Sequence, residues 1–237
     1  MQNEINSLRK LLPDLQLPCD FDKNLLAFSD FFLQTANTLN LTAIKQPHEV
    51  MIKHYYDSIY PLTLGLIKNG DSVIDIGCGG GFPSMPLKLA LPQNEFLLLD
   101  SLKKRLTFLD NAISLLQLQN IKTLHARAEV AAHNKDLRDN FDVAVSRAVA
   151  PLNLLCELCL PFVKVGGVFL AYKGKGSPDE ISSALPAIAK LSAKLERVYD
   201  FDLPEDMGAR SIVVIKKVKP THPSLPRSTK NMSKGAL

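Results

Sequence analysis

The chain has 237 residues, of which 46% are hydrophobic and 22% are charged, and its formal net charge at pH 7 is +4. This composition excludes an intrinsically disordered chain and suits a single large hydrophobic core. Because no stretch approaches the roughly 20 apolar residues that span a bilayer, and residues 1–10 lack the basic and apolar regions of a secretory signal, we expect a cytoplasmic protein with no membrane partner.

Residues 1–67 are predicted to form a helical cap. Apolar side chains recur near helical spacing in residues 25–41, and a second helical pattern covers residues 47–66. Within the second pattern His54 and Asp57 are three residues apart and therefore share a helix face. Docking of this helix on the rest of the protein is the favoured interpretation of the pair, and a functional role is the alternative.

Residues 68–219 are predicted to form the core of the protein, because strand patterns alternate there with helix patterns. Such alternation is typical of a parallel sheet covered by helices on both faces. The last two strands have no helix between them, so we expect them to pair as an antiparallel hairpin at the sheet edge. The fold class predicted is α/β, a Rossmann-like sheet of the class I methyltransferase type, mostly parallel with an antiparallel last strand. The predicted strands are residues 72–76, 95–99, 121–125, 141–146, 167–172, 194–201 and 210–217.

Residues 220–237 are predicted to form a basic tail on what is otherwise one compact domain. From Met207 onward the sequence has no Asp or Glu but seven Lys or Arg residues. A segment of one charge sign suits a polyanionic partner, and a solvated terminus is the equal alternative.

A cofactor site is predicted at the carboxyl ends of the strands, where open α/β sheets bind their ligands. The first strand runs into a glycine-rich turn that contains Gly77 and Gly79, and glycine allows the backbone to approach a ligand closely. Asp100 ends the second strand and is placed to accept hydrogen bonds from two ribose hydroxyls. The loop after the third strand, which includes Ala128 and Glu129, is expected to reach an adenine base.

These features fit both a NAD(P) enzyme and an S-adenosylmethionine enzyme, and two observations favour the second. Pro83 and Pro86 follow the glycine-rich turn, so the backbone there lacks N–H donors that a pyrophosphate would use. The expected antiparallel hairpin is the other observation.

A basic rim is predicted around the mouth of this site, because cations follow four successive strands. A ring of positive charge at the mouth suits a phosphate-rich substrate, so we interpret it as a nucleic-acid contact. Arg147 and Lys173 are the residues that we expect to position the substrate. The expected RNA contacts are Lys104, Arg127, Lys173 and Arg210.

The residues after the fourth strand favour an acceptor that needs no general base. The Asn/Asp-Pro-Pro-aromatic motif of many methyltransferases that act on amino groups is missing, and the sequence instead has Ser146, Arg147 and Ala148. Cys156 and Cys159 form a CxxC motif, but the sequence offers no second ligand pair for zinc, and their apolar neighbours predict a buried helix. We therefore expect no metal site and no nucleophilic cysteine.

Several short stretches together resemble the bacterial 16S ribosomal RNA (guanine-N7)-methyltransferase family, RsmG, also called glucose-inhibited division protein B (GidB). The resemblance runs from about Leu39 to Lys217. The stretches that carry it are residues 39–42, 53–58, 73–83, 99–105, 127–129 and 145–148. The sequence departs from the usual family pattern at Lys53, Tyr55 and Tyr56, outside the glycine-rich turn.

The resemblance implies methyl transfer from S-adenosylmethionine to N7 of a specific guanine in the 16S rRNA of the small ribosomal subunit. We also expect a monomer. It also implies cofactor contacts at Gly77, Phe82, Ala128, Glu129 and Arg147. The alternatives are a NAD(P)-dependent oxidoreductase, a methyltransferase of tRNA or of a small molecule, and a ribosome-assembly factor that binds RNA without chemistry.

Overall fold

The computed structural model describes residues 2–39, 41–44, 46–175, 178–235 and 237. Asn40, in the first of the resembling stretches, lies outside the described residues, as do residues 176 and 177 in the loop after the fifth strand. No helix of the described chain is long and apolar enough to cross a membrane.

The predicted cap contains helices α1 to α4, and the last two are joined by a π-helical turn at Met51–Tyr56. The π-turn adds one residue to a helical turn and so changes which side chains face the sheet. The cap helices are α1 Gln2–Leu11, α2 Phe21–Leu39, α3 Pro47–Val50 and α4 Asp57–Thr63.

The core of the fold is a seven-stranded sheet with strand order β3-β2-β1-β4-β5-β7-β6. The first five strands, β1 to β5, pair only in parallel with one another. In contrast, β7 pairs antiparallel with both β5 and β6. The predicted fold class and edge hairpin are therefore confirmed. The strands are β1 Ser72–Ile76, β2 Glu95–Asp100, β3 Ile121–His125, β4 Phe141–Arg147, β5 Val163–Gly174, β6 Ala193–Asp202 and β7 Ala209–Lys217.

The prediction for the fifth strand was too short, because β5 begins at Val163 rather than at Gly167. Its first residues include Gly166 and Gly167, which lowered the strand signal in the sequence. The remaining helices are α5 Ser84–Ala90, α6 Lys103–Leu115, α7 Ala128–Ala131, α8 Leu152–Cys159, α9 Pro178–Lys190 and α10 Thr229–Met232.

Two hydrophobic clusters cover the two faces of the sheet. Neighbouring strand residues alternate between them, so Val73 packs with the cap and with α5 and α6, whereas Ile74 packs with α7, α8 and α9. This alternation follows from the opposite directions of successive side chains in a strand. The three-layer arrangement leaves the carboxyl ends of the parallel strands open beneath the cap.

The CxxC motif lies in α8, where Cys156 and Cys159 are fully buried, and all four cysteines are free thiols. Burial raises the pKa of both thiols, which keeps them protonated and unreactive. Core packing is therefore the role of this motif, as predicted.

The native protein is expected to react rapidly with a thiol reagent at Cys19 alone, since Cys19 is exposed and the other three thiols are buried. A chromogenic disulfide reagent should report one fast thiol per chain in buffer and four after unfolding, in line with the four cysteines of the sequence. The Cys19→Ser variant should lose the fast phase. A fast thiol remaining in that variant would contradict the burial of the other three cysteines.

Candidate functional site

A cavity of about 860 Å³ opens at the carboxyl ends of the parallel strands, between the sheet and the cap. This volume lies in the range of cofactor sites. The cavity has two halves, one formed by the glycine-rich turn after β1 and the loops after β2 and β3, and the other by Phe82, the cap, β4, β5 and β7. All but one of the predicted site residues line it, namely Gly77, Gly79, Phe82, Asp100, Arg127, Ala128, Glu129, Arg147, Lys173 and Arg210.

The first half is built on the glycine-rich turn after β1. The backbone N–H groups of Gly77 and Cys78 donate to the carbonyl of Leu99 at 2.8 and 3.1 Å, which fixes the turn against the end of β2. Gly77 has a φ of +75°, and a Cβ added there would lie 2.6 Å from the side chain of Val149. Glycine is therefore required for both the backbone conformation and the close approach of the loop after β4.

Asp100 is a buried carboxylate at the end of β2, only 2% exposed. Its Oδ2 accepts from the Gly79 N–H at 3.0 Å, and its Oδ1 accepts from the Leu102 N–H at 2.8 Å. Arg105 lies 3.4 Å from Oδ2. These contacts fix the orientation of the carboxylate, and each oxygen keeps acceptor capacity for a ligand hydroxyl.

The loop after β3 supplies Ala128 and Glu129, the first two residues of α7. Glu129 is 8% exposed, with Arg127 3.8 Å from its carboxylate, and its Oε1 accepts a short hydrogen bond from the hydroxyl of Thr229. A carboxylate thus lies on one wall of the cavity, beside the apolar Ala128.

This half of the cavity fits S-adenosylmethionine. The turn that begins at Gly77 lets a ligand approach the backbone, and Asp100 offers an acceptor to ribose hydroxyls. Ala128 and Glu129 combine an apolar surface with a hydrogen-bond acceptor, as an adenine base requires. Among the described residues no group of three or more His, Cys, Asp or Glu is arranged to hold a metal ion.

The second half of the cavity is centred on Phe82. The ring of His54 stacks on it with the centroids 4.7 Å apart, and the guanidinium carbon of Arg147 lies 5.3 Å from the Phe82 centroid. The cap and the end of β4 therefore meet over one aromatic ring. Phe82 itself is 7% exposed, so it acts as the floor of this half.

Arg147 is held on several sides by the cap. Its Nη1 donates to Asp57 Oδ2 at 2.9 Å and to the Lys53 carbonyl at 3.2 Å, while Nη2 lies 3.1 Å from His54 Nδ1. Asp57 is 3% exposed, and its Oδ1 has no hydrogen-bond partner in the described part of the chain, although Arg210 Nε is 3.8 Å away. Burial raises the pKa of Asp57, and the two arginines oppose that shift.

His54 is neutral at physiological pH. Burial, followed by the positive charge of Arg147, lowers its pKa to about 3. Because a guanidinium can only donate, His54 Nδ1 must accept from Arg147, and Nε2 therefore carries the proton. Nε2 then donates to Thr42 Oγ1 at 2.9 Å. This chain of contacts links residues 41–44 of the cap to Arg147.

The predicted basic rim differs from the observed one at two positions. Lys104 is exposed and does not line the cavity, because its position on α6 faces solvent, whereas the adjacent Arg105 does line it. Lys53 of the cap also lines the cavity and was not predicted. Lys173 is 17% exposed and forms an ion pair with Glu180 at 2.7 Å, so its ammonium group is held at the mouth.

The sequence pattern favoured docking of the cap as the role of His54 and Asp57, and it did not predict Lys53 at the cavity. All three line it, and His54 and Asp57 bind Arg147. The π-turn at Met51–Tyr56 is the reason, because ordinary helical spacing does not apply across it. The signals in the sequence were the three-residue spacing of His54 and Asp57 and the place of residues 53–58 among the stretches that carry the family resemblance.

The chain is similar in sequence to proteins of one family. The family model described as "GidB: rRNA small subunit methyltransferase G" matches residues 22–207. A ribosomal RNA small subunit methyltransferase G of Lachnoclostridium phytofermentans is 44% identical over 201 residues, which cover 85% of this chain and 83% of that protein. The protein of the same name from Lactobacillus johnsonii is 40% identical over 217 residues, covering 91% of each chain.

Solved structures support the fold. M. jannaschii TYW2 in complex with AdoMet has a TM-score of 0.53 at 17% identity and covers 68% of this chain and 77% of that chain. NSun6 from Pyrococcus horikoshii with SFG has a TM-score of 0.55 at 17% identity, covering 69% of this chain and 52% of that chain. At these identities the likeness extends to the fold alone.

Proposed function

The chain belongs to the GidB family of rRNA small subunit methyltransferase G; it is an S-adenosylmethionine-dependent rRNA methyltransferase, and we propose that its acceptor is N7 of one guanine in the 16S rRNA of the small ribosomal subunit. The choice of N7 as the acceptor atom rests on the side chains in the second half of the cavity. That half holds the cations Arg147, Lys173 and Arg210 and a neutral His54 whose Nδ1 is already occupied.

Guanine N7 suits this set of side chains because its lone pair is free and no proton must leave before attack. S-adenosylmethionine supplies a methyl group on a positively charged sulfur. His54 is not free to act as a base, since Arg147 donates to Nδ1 and Nε2 carries a proton. What the chain must provide is alignment of the acceptor with the donor, which by itself lowers the barrier substantially.

The two halves of the cavity divide this work, with Phe82 and Arg147 of the second half also contacting the cofactor. We assign cofactor contacts to Gly77, Gly79, Phe82, Asp100, Ala128, Glu129 and Arg147. Arg147 and Lys173 position the substrate, and both side chains are fixed, Arg147 by Asp57 and Lys173 by Glu180. Fixed donors cost less ordering on binding than free ones.

Methylation at N7 leaves the guanine ring positively charged, so a carboxylate near the acceptor is favourable. Asp57 is buried at the cavity with Oδ1 unpaired among the described residues, and it also offsets the charge of Arg147. Asp57 therefore keeps this half of the cavity from repelling the methylated base.

Further RNA contacts are assigned to Arg127 and Arg210, which line the cavity, and to Lys104, which lies outside it. The target guanine is unpaired, because N7 in an A-form helix lies in a deep groove that side chains do not reach. The protein acts as a monomer in the cytoplasm, with residues 1–67 as a cap, residues 68–219 as the cofactor-binding core and residues 220–237 as a basic extension of the same domain.

The test is transfer of labelled methyl from S-adenosylmethionine to small ribosomal subunits and to free rRNA from cells that lack this protein. Total tRNA and total protein are the controls. We expect label at one guanine of the 16S rRNA, mapped by strand cleavage specific for N7-methylguanine. Label in tRNA, or at an atom other than N7, would overturn the proposal.

A further inference from the structure

The residues that follow the last strand, here called the 218–235 segment, pack against the core although the sequence predicted a tail. The segment begins with two hydrogen bonds from the N–H groups of Val218 and Lys219 to the Ser192 carbonyl. Arg138 then donates to three carbonyls of the segment at 2.8 to 2.9 Å. These three acceptors are Thr221, His222 and Leu225. Several directed bonds along the segment mean that it has one defined path.

The strongest anchor of the segment is the ion pair of Arg227 with Glu157 of α8. Glu157 is 1% exposed, and Arg227 Nε donates to its Oε1 at 2.9 Å while Nη2 donates to its Oε2 at 2.7 Å. A buried carboxylate left without a partner is strongly unfavourable, so the core itself requires this arginine. The ion pair lies two residues before Thr229.

This path brings Thr229 to Glu129, the carboxylate on the cofactor side of the cavity. The Thr229 hydroxyl donates to Glu129 Oε1, and Glu129 is 8% exposed. The family model ends its match at residue 207, so the contact reaches the cavity from outside the matched range. A free glutamate side chain has three rotatable bonds, and a hydroxyl held on one oxygen restricts them.

We propose that the 218–235 segment forms part of the cofactor site, with Thr229 as the residue that positions Glu129 for the adenosine end of S-adenosylmethionine. The inference rests on the proposed assignment of Glu129 to that end of the cavity. Binding of the cofactor no longer has to immobilise Glu129, because the segment has already done so. Preorganisation of one flexible side chain corresponds to about a 5- to 10-fold gain in affinity.

Coupling between two sites is reciprocal, which gives the proposal a second consequence. If the docked segment raises the affinity for S-adenosylmethionine, then S-adenosylmethionine must stabilise the docked segment by the same factor. Amide hydrogen exchange in the segment should slow when the cofactor binds. A segment that competes with the cofactor for Glu129 would instead exchange faster.

The experiment measures binding of S-adenosylmethionine by calorimetry, without RNA, to the full chain and to a set of variants. Thr229→Val should weaken binding about 5- to 10-fold, and Thr229→Ser should restore it because the hydroxyl returns. The matched control is Ser233→Ala, since the hydroxyl that it removes donates to the nearby Lys230 carbonyl and not to Glu129. In turnover, Thr229→Val should raise the KM for the cofactor and leave kcat at saturation within about twofold.

Glu129→Ala separates failure of this inference from failure of the site assignment. We expect Glu129→Ala to weaken binding at least as much as Thr229→Val, and the double variant to be no weaker than Glu129→Ala alone, because both changes remove one interaction. Unchanged affinity in Glu129→Ala would overturn the assignment of Glu129 and the inference with it. Three other outcomes would each overturn the role of Thr229 alone. The first is weakened binding in Glu129→Ala with unchanged affinity in Thr229→Val. The others are additive effects in the double variant and faster hydrogen exchange of the segment on cofactor binding.

Discussion

Replacing Arg147 by methionine is expected to lower methyl transfer by about 100-fold or more, because misplacement of a reacting group by about 1 Å has an effect of that size. Arg147 is fixed by Asp57, His54 and the Lys53 carbonyl, so its guanidinium has one orientation at the cavity. Methionine keeps most of the apolar stem and removes the charge and every donor. The measurement is kcat/KM for labelled methyl transfer to small subunits.

The same substitution is expected to cost about 3–5 kcal/mol of folding stability, since it leaves Asp57 buried without its partner. Asp57 is 3% exposed and already has one oxygen without a hydrogen bond among the described residues. Replacing both members of the pair, with Arg147→Met and Asp57→Leu together, should recover most of the stability because no isolated charge remains. Transfer should stay low in the double variant, which separates the chemical role of Arg147 from its structural one.

The control is Arg197→Ala, because Arg197 is an exposed residue of β6 whose guanidinium is described in contact with Tyr199 alone. This variant should keep the stability and transfer rate of the parent protein. Full transfer in Arg147→Met, with binding of S-adenosylmethionine intact, would show that the guanidinium has no part in positioning the substrate.

Replacing Asp75 by asparagine is expected to remove a large pH dependence of stability. Asp75 is fully buried in β1; its Oδ2 accepts from the Ser84 hydroxyl at 2.6 Å, and its Oδ1 has no partner among the described residues. Burial raises the pKa of Asp75 to about 7, from an ordinary value of 3.8. The folded protein therefore keeps this proton in a pH range where the unfolded chain has lost it.

The sign of the effect follows from proton counting. Between pH 4 and pH 7 the folded state binds more protons at Asp75 than the unfolded state does, so the free energy of unfolding falls as pH rises. Between pH 4 and pH 7 the free energy of unfolding falls by about 4 kcal/mol in total, and it falls no further from this cause above pH 7. Asparagine has the same shape, accepts a hydrogen bond from the Ser84 hydroxyl and does not ionise. The fall in the free energy of unfolding with pH should therefore disappear in Asp75→Asn.

Urea unfolding of the parent protein and of Asp75→Asn at pH 5, 6, 7 and 8 measures this difference. The stability of the variant relative to the parent should rise by roughly 1.4 kcal/mol per pH unit up to pH 7 and then level off. Ser183→Ala on α9 serves as a control, since the Ser183 hydroxyl donates to the Glu180 carbonyl at an exposed position. A stability difference that does not change with pH would mean that Asp75 ionises normally despite its burial.

The sequence alone determined the class of the fold and the edge of the sheet at which we propose the cofactor site. Each strand has an apolar pattern of its own, and the turn from Gly77 to Gly81 marks the carboxyl end of the first one. Because parallel strands share one open edge, Asp100 after β2 and Glu129 after β3 had to lie near that turn, and both line the cavity. The resemblance to the GidB family is confirmed by the match over residues 22–207.

The tertiary structure alone decided which side chains complete the cavity from the cap. The π-turn at Met51–Tyr56 offsets the helical spacing. Asp57 and Arg147 are 90 positions apart in the sequence, so no local signal indicates that the two form an ion pair. The same holds for the 218–235 segment, whose composition suggested a solvated tail. Its path depends on Glu157 and Glu129, 70 and 100 residues away in the sequence from Arg227 and Thr229.

The difference between what the sequence determined and what the tertiary structure decided has one physical reason. Strands, helices and glycine turns follow from interactions between residues close in the chain, which a sequence pattern records directly. Buried ion pairs and hydrogen bonds such as Asp57 with Arg147 depend on which distant surfaces meet once the core has formed. The sequence therefore determined where the proposed cofactor site lies, and only the packing of the cap and of the 218–235 segment decided which charges face one another in it.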